Sequence, residues 1–172
     1  SLECSTNLEF DPNYECDICV EAKLIKASFN KVERSIEPLS LIHKDICDLK
    51  FVQTRRGKKY FSTFIDDCTR YCYVYLLRSK NEALEAFKQY KLKVENQLGK
   101  TIKIVRSNRG GEYDAPFEEF CSEHGVIHQT TAPYSSQSNG VAERKNRTLK
   151  EMMNAMLISS ELPQNLWGEA IL

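Results

Sequence analysis

Three polar segments of this sequence carry side chains suited to chemistry on a charged substrate: LIHKD at 41–45, RSNRGGEY at 106–113 and PYSSQSNGVAERKNR at 133–147. The first offers Asp45, which alternation along a strand puts on one face with Leu41 and His43, among mostly apolar neighbours. The second offers the pair Gly110-Gly111, where the backbone can turn sharply or approach a phosphate closely. The third offers Glu143, followed at i+4 and i+7 by Arg147 and Lys150, so an acid and two phosphate-seeking cations share one helical face. Carboxylate oxygens suit hard divalent cations, and such cations neutralise the charge that spreads over a phosphoryl transition state. Each segment also has a plainer reading. Asp45 alone reads as a strand-end charge beside Lys44, the stretch at Asn139-Gly140 as a mobile loop, and Glu143 with Arg147 as a surface pair on a solvated helix.

The elements that would position these groups are legible from periodicity. Residues 39–46 read as a strand, and 59–65 and 71–77 as two β-rich runs whose intervening DDCTR suggests a hairpin. Residues 81–98 place Leu84, Phe87, Tyr90, Leu92, Val94 and Leu98 near helical spacing, and Gly99 is a natural stop. A fourth strand is expected over 101–105, a short helix over 116–124, a fifth strand over 126–129, and a polar loop running into a long helix that ends near 159. On that helix Leu149, Met152, Met153, Met156 and Leu157 form the expected apolar stripe. The sum is an α/β fold, a mixed five-stranded sheet flanked by helices.

The 172 residues suit one compact domain with an extension, read as a flank over 1–37 and a core over 38–172. With 41% hydrophobic and 28% charged residues the composition is that of a soluble globular protein. Formal net charge is zero, so any nucleic-acid contact must come from local placement, of which the run from Arg144 to Lys150 is the best case. The longest apolar stretch, 71–77, is too short to cross a bilayer, and the first residues lack a signal-peptide pattern. Seven scattered cysteines argue for a reducing compartment rather than a disulfide framework. Cys121 and His124 stand at i, i+3 with no orienting partner, which does not make a nucleophile pair; His124 and His128 read as structural or surface groups.

LIHKD at 41–45, FIDDCTR at 64–70, IVRSNRGGEY at 104–113 and NGVAERKNRTL at 139–149 resemble, in order, the integrase catalytic core of copia-type retrotransposons, especially those of plants. The resemblance runs from about residue 14 to the C-terminus. It implies an RNase H-like fold, DNA 3′-processing and strand transfer, and three carboxylates holding two Mg²⁺ or Mn²⁺ ions. The first acid corresponds to Asp45 and the last to Glu143. The middle one belongs where this sequence has Asn108. The resemblance further implies DNA as partner, with Arg147 and Lys150 placed like the basic residues that touch viral DNA in retroviral integrases; Arg144, Lys145 and the backbone at Asn139 and Gly140 read as further phosphate contacts. It leaves self-association open and points to an intracellular particle or the nucleus.

An amide at 108 keeps an oxygen but deletes a unit charge beside divalent ions. At about 4 Å and an effective dielectric of about 20 that is roughly 8 kcal/mol of gross attraction, partly cancelled by the desolvation an amide avoids. Each ~1.4 kcal/mol that survives is about tenfold in rate. The expectation is weak metal occupancy at Asp45, Asn108 and Glu143 and impaired strand transfer; Glu112 and Asp114 lie nearby but across the glycine-rich turn. The alternative is a non-catalytic DNA- or protein-binding module, or a relic, derived from such a core. Cys16 and Cys19 could be half of a zinc site, since a His-His-Cys-Cys module precedes the core in the family. No histidine occurs before His43, so they read as free thiols. Both ends read as cut from a longer polyprotein.

Overall fold

The structure, a computed structural model, describes residues 35–49, 52–108, 114–131 and 139–172. Five strands, β1 (Leu41–Asp48), β2 (Tyr60–Asp66), β3 (Cys72–Leu77), β4 (Ile104–Ser107) and β5 (Ile127–Thr130), form one sheet in the order β3-β2-β1-β4-β5. β1 with β2 and β2 with β3 are antiparallel; β1 with β4 and β4 with β5 are parallel. The helices are α1 (Ala83–Leu98), α2 (Asp114–Glu123), α3 (Gly140–Ser159) and α4 (Trp167–Ile171). The expected mixed five-stranded sheet with flanking helices is therefore what the chain forms.

Several boundaries differ from the periodicity, and one cause accounts for two of them. Leu39 is buried in the left-handed region at φ 65°, with its N–H held by Asp66 Oδ1 at 2.8 Å. A β-strand cannot run through such a residue, so β1 begins at Leu41 rather than 39. The parallel partner starts level with it, Leu41 opposite Ile104. Residues 101–103, expected in strand, bond instead to other partners, with the Ile102 N–H on Glu95 Oε1 and the Lys103 N–H on the Leu39 carbonyl. The α1 helix starts at Ala83 after a single 3₁₀ turn, Lys80–Glu82, and stops at Gly99, whose φ of 60° is the left-handed closure expected of glycine.

Alternate strand residues feed two cores. On one face Ile42, Phe64 and Val105 meet Phe87, Tyr90 and Val94 of α1 and Phe117 and Cys121 of α2. There the Phe64 and Tyr90 rings stack at 4.8 Å between centroids and 11° between planes. On the other face Cys47 and Phe61 meet Met153 and Leu157 of α3 and Trp167 of α4. Each helical stripe is narrower than the sequence suggests. Leu92 and Leu98 on α1 are 67% and 51% exposed, and Met152 and Met156 on α3 are 55% and 44% exposed. The α3 contacts run to β1, β2 and α4, so its inward line is Ala142, Asn146, Leu149, Met153 and Leu157, with a buried amide in it.

Candidate active site

Pairing register, more than sequence proximity, assembles the site. Thr63 on β2 stands opposite Asp45 on β1. The parallel register Lys44 opposite Ser107, continued one residue, brings Asn108 beside Asp45, and Ser107 opposite Thr130 likewise brings Thr131 beside Asn108. A row of polar side chains thus crosses four strands, Thr63, Asp45, Asn108 and Thr131, with α3 above it. The hydrogen bonds converge on the one acid. Thr131 Oγ1 donates to Asn108 Oδ1 at 3.3 Å, and Asn108 Nδ2 donates weakly to Asp45 Oδ1 at 3.4 Å. From the other side Thr63 Oγ1 donates to Asn146 Oδ1 at 2.9 Å, and Asn146 Nδ2 donates to Asp45 Oδ2 at 2.8 Å.

Asp45 was expected among mostly apolar neighbours; its face holds amides and hydroxyls instead, because α3 presents Asn146 there. Burial pushes the Asp45 pKa up, the Ile46 N–H and Asn146 pull it part of the way back, and the charge of Glu143 adds to the rise. Glu143, in the first turn of α3 and half-buried, is therefore close enough to be felt by Asp45. Of the three positions singled out from the sequence, Asn108 contacts Asp45, and Glu143 stands one helical turn before Asn146, which also bonds Asp45.

The cations of α3 divide. Arg147 and Arg144 are exposed. The Arg144 guanidinium folds back over Gly140, its Nη1 3.2 Å from where a Cβ on that glycine would stand. Lys150 and Lys145 are half-buried. The Lys150 ammonium lies close enough to the Cys47 thiol to counter the upward push of burial on its pKa, and the charge of Lys145 acts in the same sense on Cys72. Among the described residues Glu143 makes no ion pair with Arg147. Asn139 is 0% exposed, so its side chain serves the interior rather than a phosphate. Cys121 is buried with its pKa pushed up to about 11, while His124 Nδ1 turns to the Phe120 carbonyl at 2.8 Å, so the two form no nucleophile pair. Cys16, Cys19, Gly110, Gly111 and Glu112 lie outside the described residues.

Five participants escape a reading of segments one at a time: Thr63, Thr131, Asn146, His43 and Asp67. Asn146 had a usable signal, a polar residue on the inward line of an amphipathic helix, where a buried amide needs partners. His43 is 2% exposed, with Nε2 3.1 Å from Asp67 Oδ1 and Nδ1 3.3 Å from Asn139 Oδ1. Both ring nitrogens face oxygen acceptors, an arrangement that an imidazolium satisfies with two N–H donors. Burial pulls the other way and lowers the His43 pKa, with Asp67 opposing.

Residues 37–136 match the family described as "Integrase core domain". This chain belongs to that family. The core is 42% identical over 158 residues to the retrovirus-related Pol polyprotein from transposon TNT 1-94 of Nicotiana tabacum, covering 91% of this chain and 12% of that polyprotein. It thus spans about an eighth of the length of that relative, and the copia-type resemblance seen in the motifs holds. Its fold is similar to a chain in the structure of the simian T-cell lymphotropic virus intasome in complex with PP2A regulatory subunit B56 gamma, with a TM-score of 0.63, 20% identity, and coverage of 82% of this chain and 50% of that one. It is also similar to the HTLV-2 integrase catalytic core solved in complex with magnesium, with a TM-score of 0.55, 21% identity, and coverage of 80% and 87%. The architecture is the RNase H-like one of integrase catalytic cores. No helix among the described residues is long and apolar enough to cross a membrane.

A pair of divalent cations does not fit the donors that the described residues of this integrase core present. Among the described residues no three acidic, histidine or cysteine side chains cluster as metal ligands. Asn108 turns an N–H toward Asp45 and its oxygen toward Thr131, and both Asp45 oxygens already accept amide donors. A hard cation at Asp45 would have to displace those donors and turn the amide over.

Proposed function

We propose that this chain is the DNA-handling core of a retrotransposon integrase whose 3′-processing and strand transfer are weakened at position 108. The observation that carries the reading is the contact from Asn108 Nδ2 to Asp45 Oδ1, an amide donor standing where the family resemblance implies a third acid. The other parts of the site remain those of a strand-transfer core: Asp45 on the central strand, Glu143 beside it, and Arg144 and Arg147 exposed on the same helix. Exposed arginines there suit phosphates of a DNA backbone, whose contacts position without reading sequence.

The test is divalent-metal-dependent strand transfer by the chain as written and by Asn108→Asp. Activity should be at or near background in the first and rise by at least about a hundredfold in the second, corresponding to recovery of ~2.7 kcal/mol. Equal activity in both would sink the reading. A second reading, a binding module without catalysis, is favoured by the same contact, since both Asp45 oxygens are taken up by amide donors. It predicts DNA binding that needs no divalent ion and whose salt slope falls by about one for each of Arg144 and Arg147 replaced by alanine.

A further inference from the structure

Asparagine is among the best helix N-caps because its short side chain can take up an orphan N–H of the first turn. Asn139 stands at the N-cap of α3 and makes no such bond. Its amide points away from its own helix: Nδ2 donates to the Lys44 carbonyl of β1 at 3.2 Å, while Oδ1 faces His43 Nδ1 at 3.3 Å. The imidazole is held from behind by Asp67 at 3.1 Å, and Asp67 is fixed in turn by the Ser35 N–H at 3.0 Å and the Arg70 guanidinium at 3.1 Å. Asn139 and His43 are 0% and 2% exposed, so water does not compete for the contact between them. The capping bond has been exchanged for a bridge between the helix start and the strand.

We infer that His43 and Asn139 are positioning residues which fasten the first turn of α3, and with it Glu143, to the strand that carries Asp45. The Asn139 carbonyl accepts the Glu143 N–H at 3.2 Å, so a displacement of Asn139 is passed to Glu143 through one hydrogen bond. His43 lies two residues before Asp45 on the same face of β1, which makes the two ends of the bridge the two acids themselves. The FIDDCTR segment supplies no candidate ligand, yet its Asp67 and Arg70 close the far end of this clamp. The inference rests on Asp45 and Glu143 being the acidic pair of the site, and its measurement is local backbone protection rather than activity.

Amide hydrogen exchange resolved by residue in the full chain tests it. Asn139→Ser keeps a favoured cap residue but is too short to reach His43 and Lys44 together, so exchange at the Glu143 amide should rise about ten- to a hundredfold, as it should in Asn139→Ala. The Met153 and Leu157 amides on the same helix should change by less than about threefold. His43→Asn retains an N–H near the place of Nδ1 and should preserve most of the Glu143 protection; His43→Leu should lose it. Protection in Asn139→Ser equal to that of the unmodified chain would mean ordinary capping and overturn the inference. So would a rise of similar size at Glu143 and Leu157, which would mean general loosening, or equal losses in His43→Asn and His43→Leu. Strand transfer by Asn108→Asp is read separately, so a failure of the catalytic reading leaves the exchange result to judge the clamp by itself.

Discussion

The two faces of this sheet are built from the same strands, residue by alternate residue, and they hold together by different physics. On the α1 side Ile42, Phe64 and Val105 are each 0% exposed beneath aromatic rings, and attraction there is non-directional burial. On the α3 side an apolar cluster around Phe61, Met153 and Trp167 is joined by a polar row, Thr63, Asp45, Asn108 and Thr131, tied by donors that work in only one arrangement. A hydrogen bond adds only about 0.5–1.5 kcal/mol net when made, but a buried group left without one costs about 1–3 kcal/mol. Apolar burial on both faces therefore supplies most of the stability, while the polar row penalises every register but one, since a one-residue slip would exchange the faces.

The contrast is broken most directly at Phe87. This ring is 0% exposed and contacts Phe64, Tyr90, Phe117 and Phe120. Phe87→Ala should cost about 3–5 kcal/mol in urea or thermal unfolding. Asn146→Leu comes next. It strips Asp45 Oδ2 and Thr63 Oγ1 of a partner, at about 2–3 kcal/mol, although leucine would be welcome at most inward positions of an amphipathic helix. The two substitutions act on opposite faces, so their costs should add within about 0.5 kcal/mol in the double variant. Strong coupling would show that the faces are not independent.

How much of this could be read from the sequence follows the same division. The apolar core announces itself locally, as the β-rich runs of β2 and β3, the stripe Phe87, Tyr90 and Val94, and the stop at Gly99. The acids at 45 and 143 and the odd residue at 108 were visible through the resemblance of their surrounding strings. The polar row was not, because Thr63, Asp45, Asn108 and Thr131 become neighbours only once the strand order β2-β1-β4-β5 is known. Leu39 is a harder case: nothing about a leucine announces φ 65°, which here is secured by a carboxylate 27 residues away.

Asn108→Asp sharpens the comparison from the polar side. It replaces the N–H donor 3.4 Å from Asp45 Oδ1 with a second carboxylate. Two unit charges about 4 Å apart repel by roughly 4 kcal/mol at an effective dielectric of about 20, most of it relieved by water and proton uptake. A net loss of about 1–2 kcal/mol is expected without metal, recovered on adding Mg²⁺ as ligand binding stabilises the native state. The unmodified chain should melt at the same temperature with and without Mg²⁺. An equal Mg²⁺ response in both would show that Asn108 does not govern the site.

The smallest effect is a matter of sign. The folded-state pKa of Asp45 is raised, first by burial, so between the unfolded value of about 3.9 and the raised folded one the native chain holds more protons than the unfolded chain. Its contribution to stability falls as pH climbs through that interval and is level outside it. For Asp67 burial alone would raise the pKa, but the Ser35 N–H, His43 and Arg70 outweigh it and the net shift is downward. That contribution is complete above about pH 3.9 and is lost as pH falls through the lowered folded value. His43, whose pKa burial lowers, adds a rise with pH between its lowered folded value and the ordinary one of about 6.5, which confines the useful range to the acid side of that rise. Urea melts stepped through that range should show Asp67→Ala losing the upward slope at the acid end and Asp45→Ala losing the downward slope above it. Slopes that change in the same direction in both variants would mean that the donors around Asp45 prevail over its burial, and that the polar face is as well compensated as the apolar one is dry.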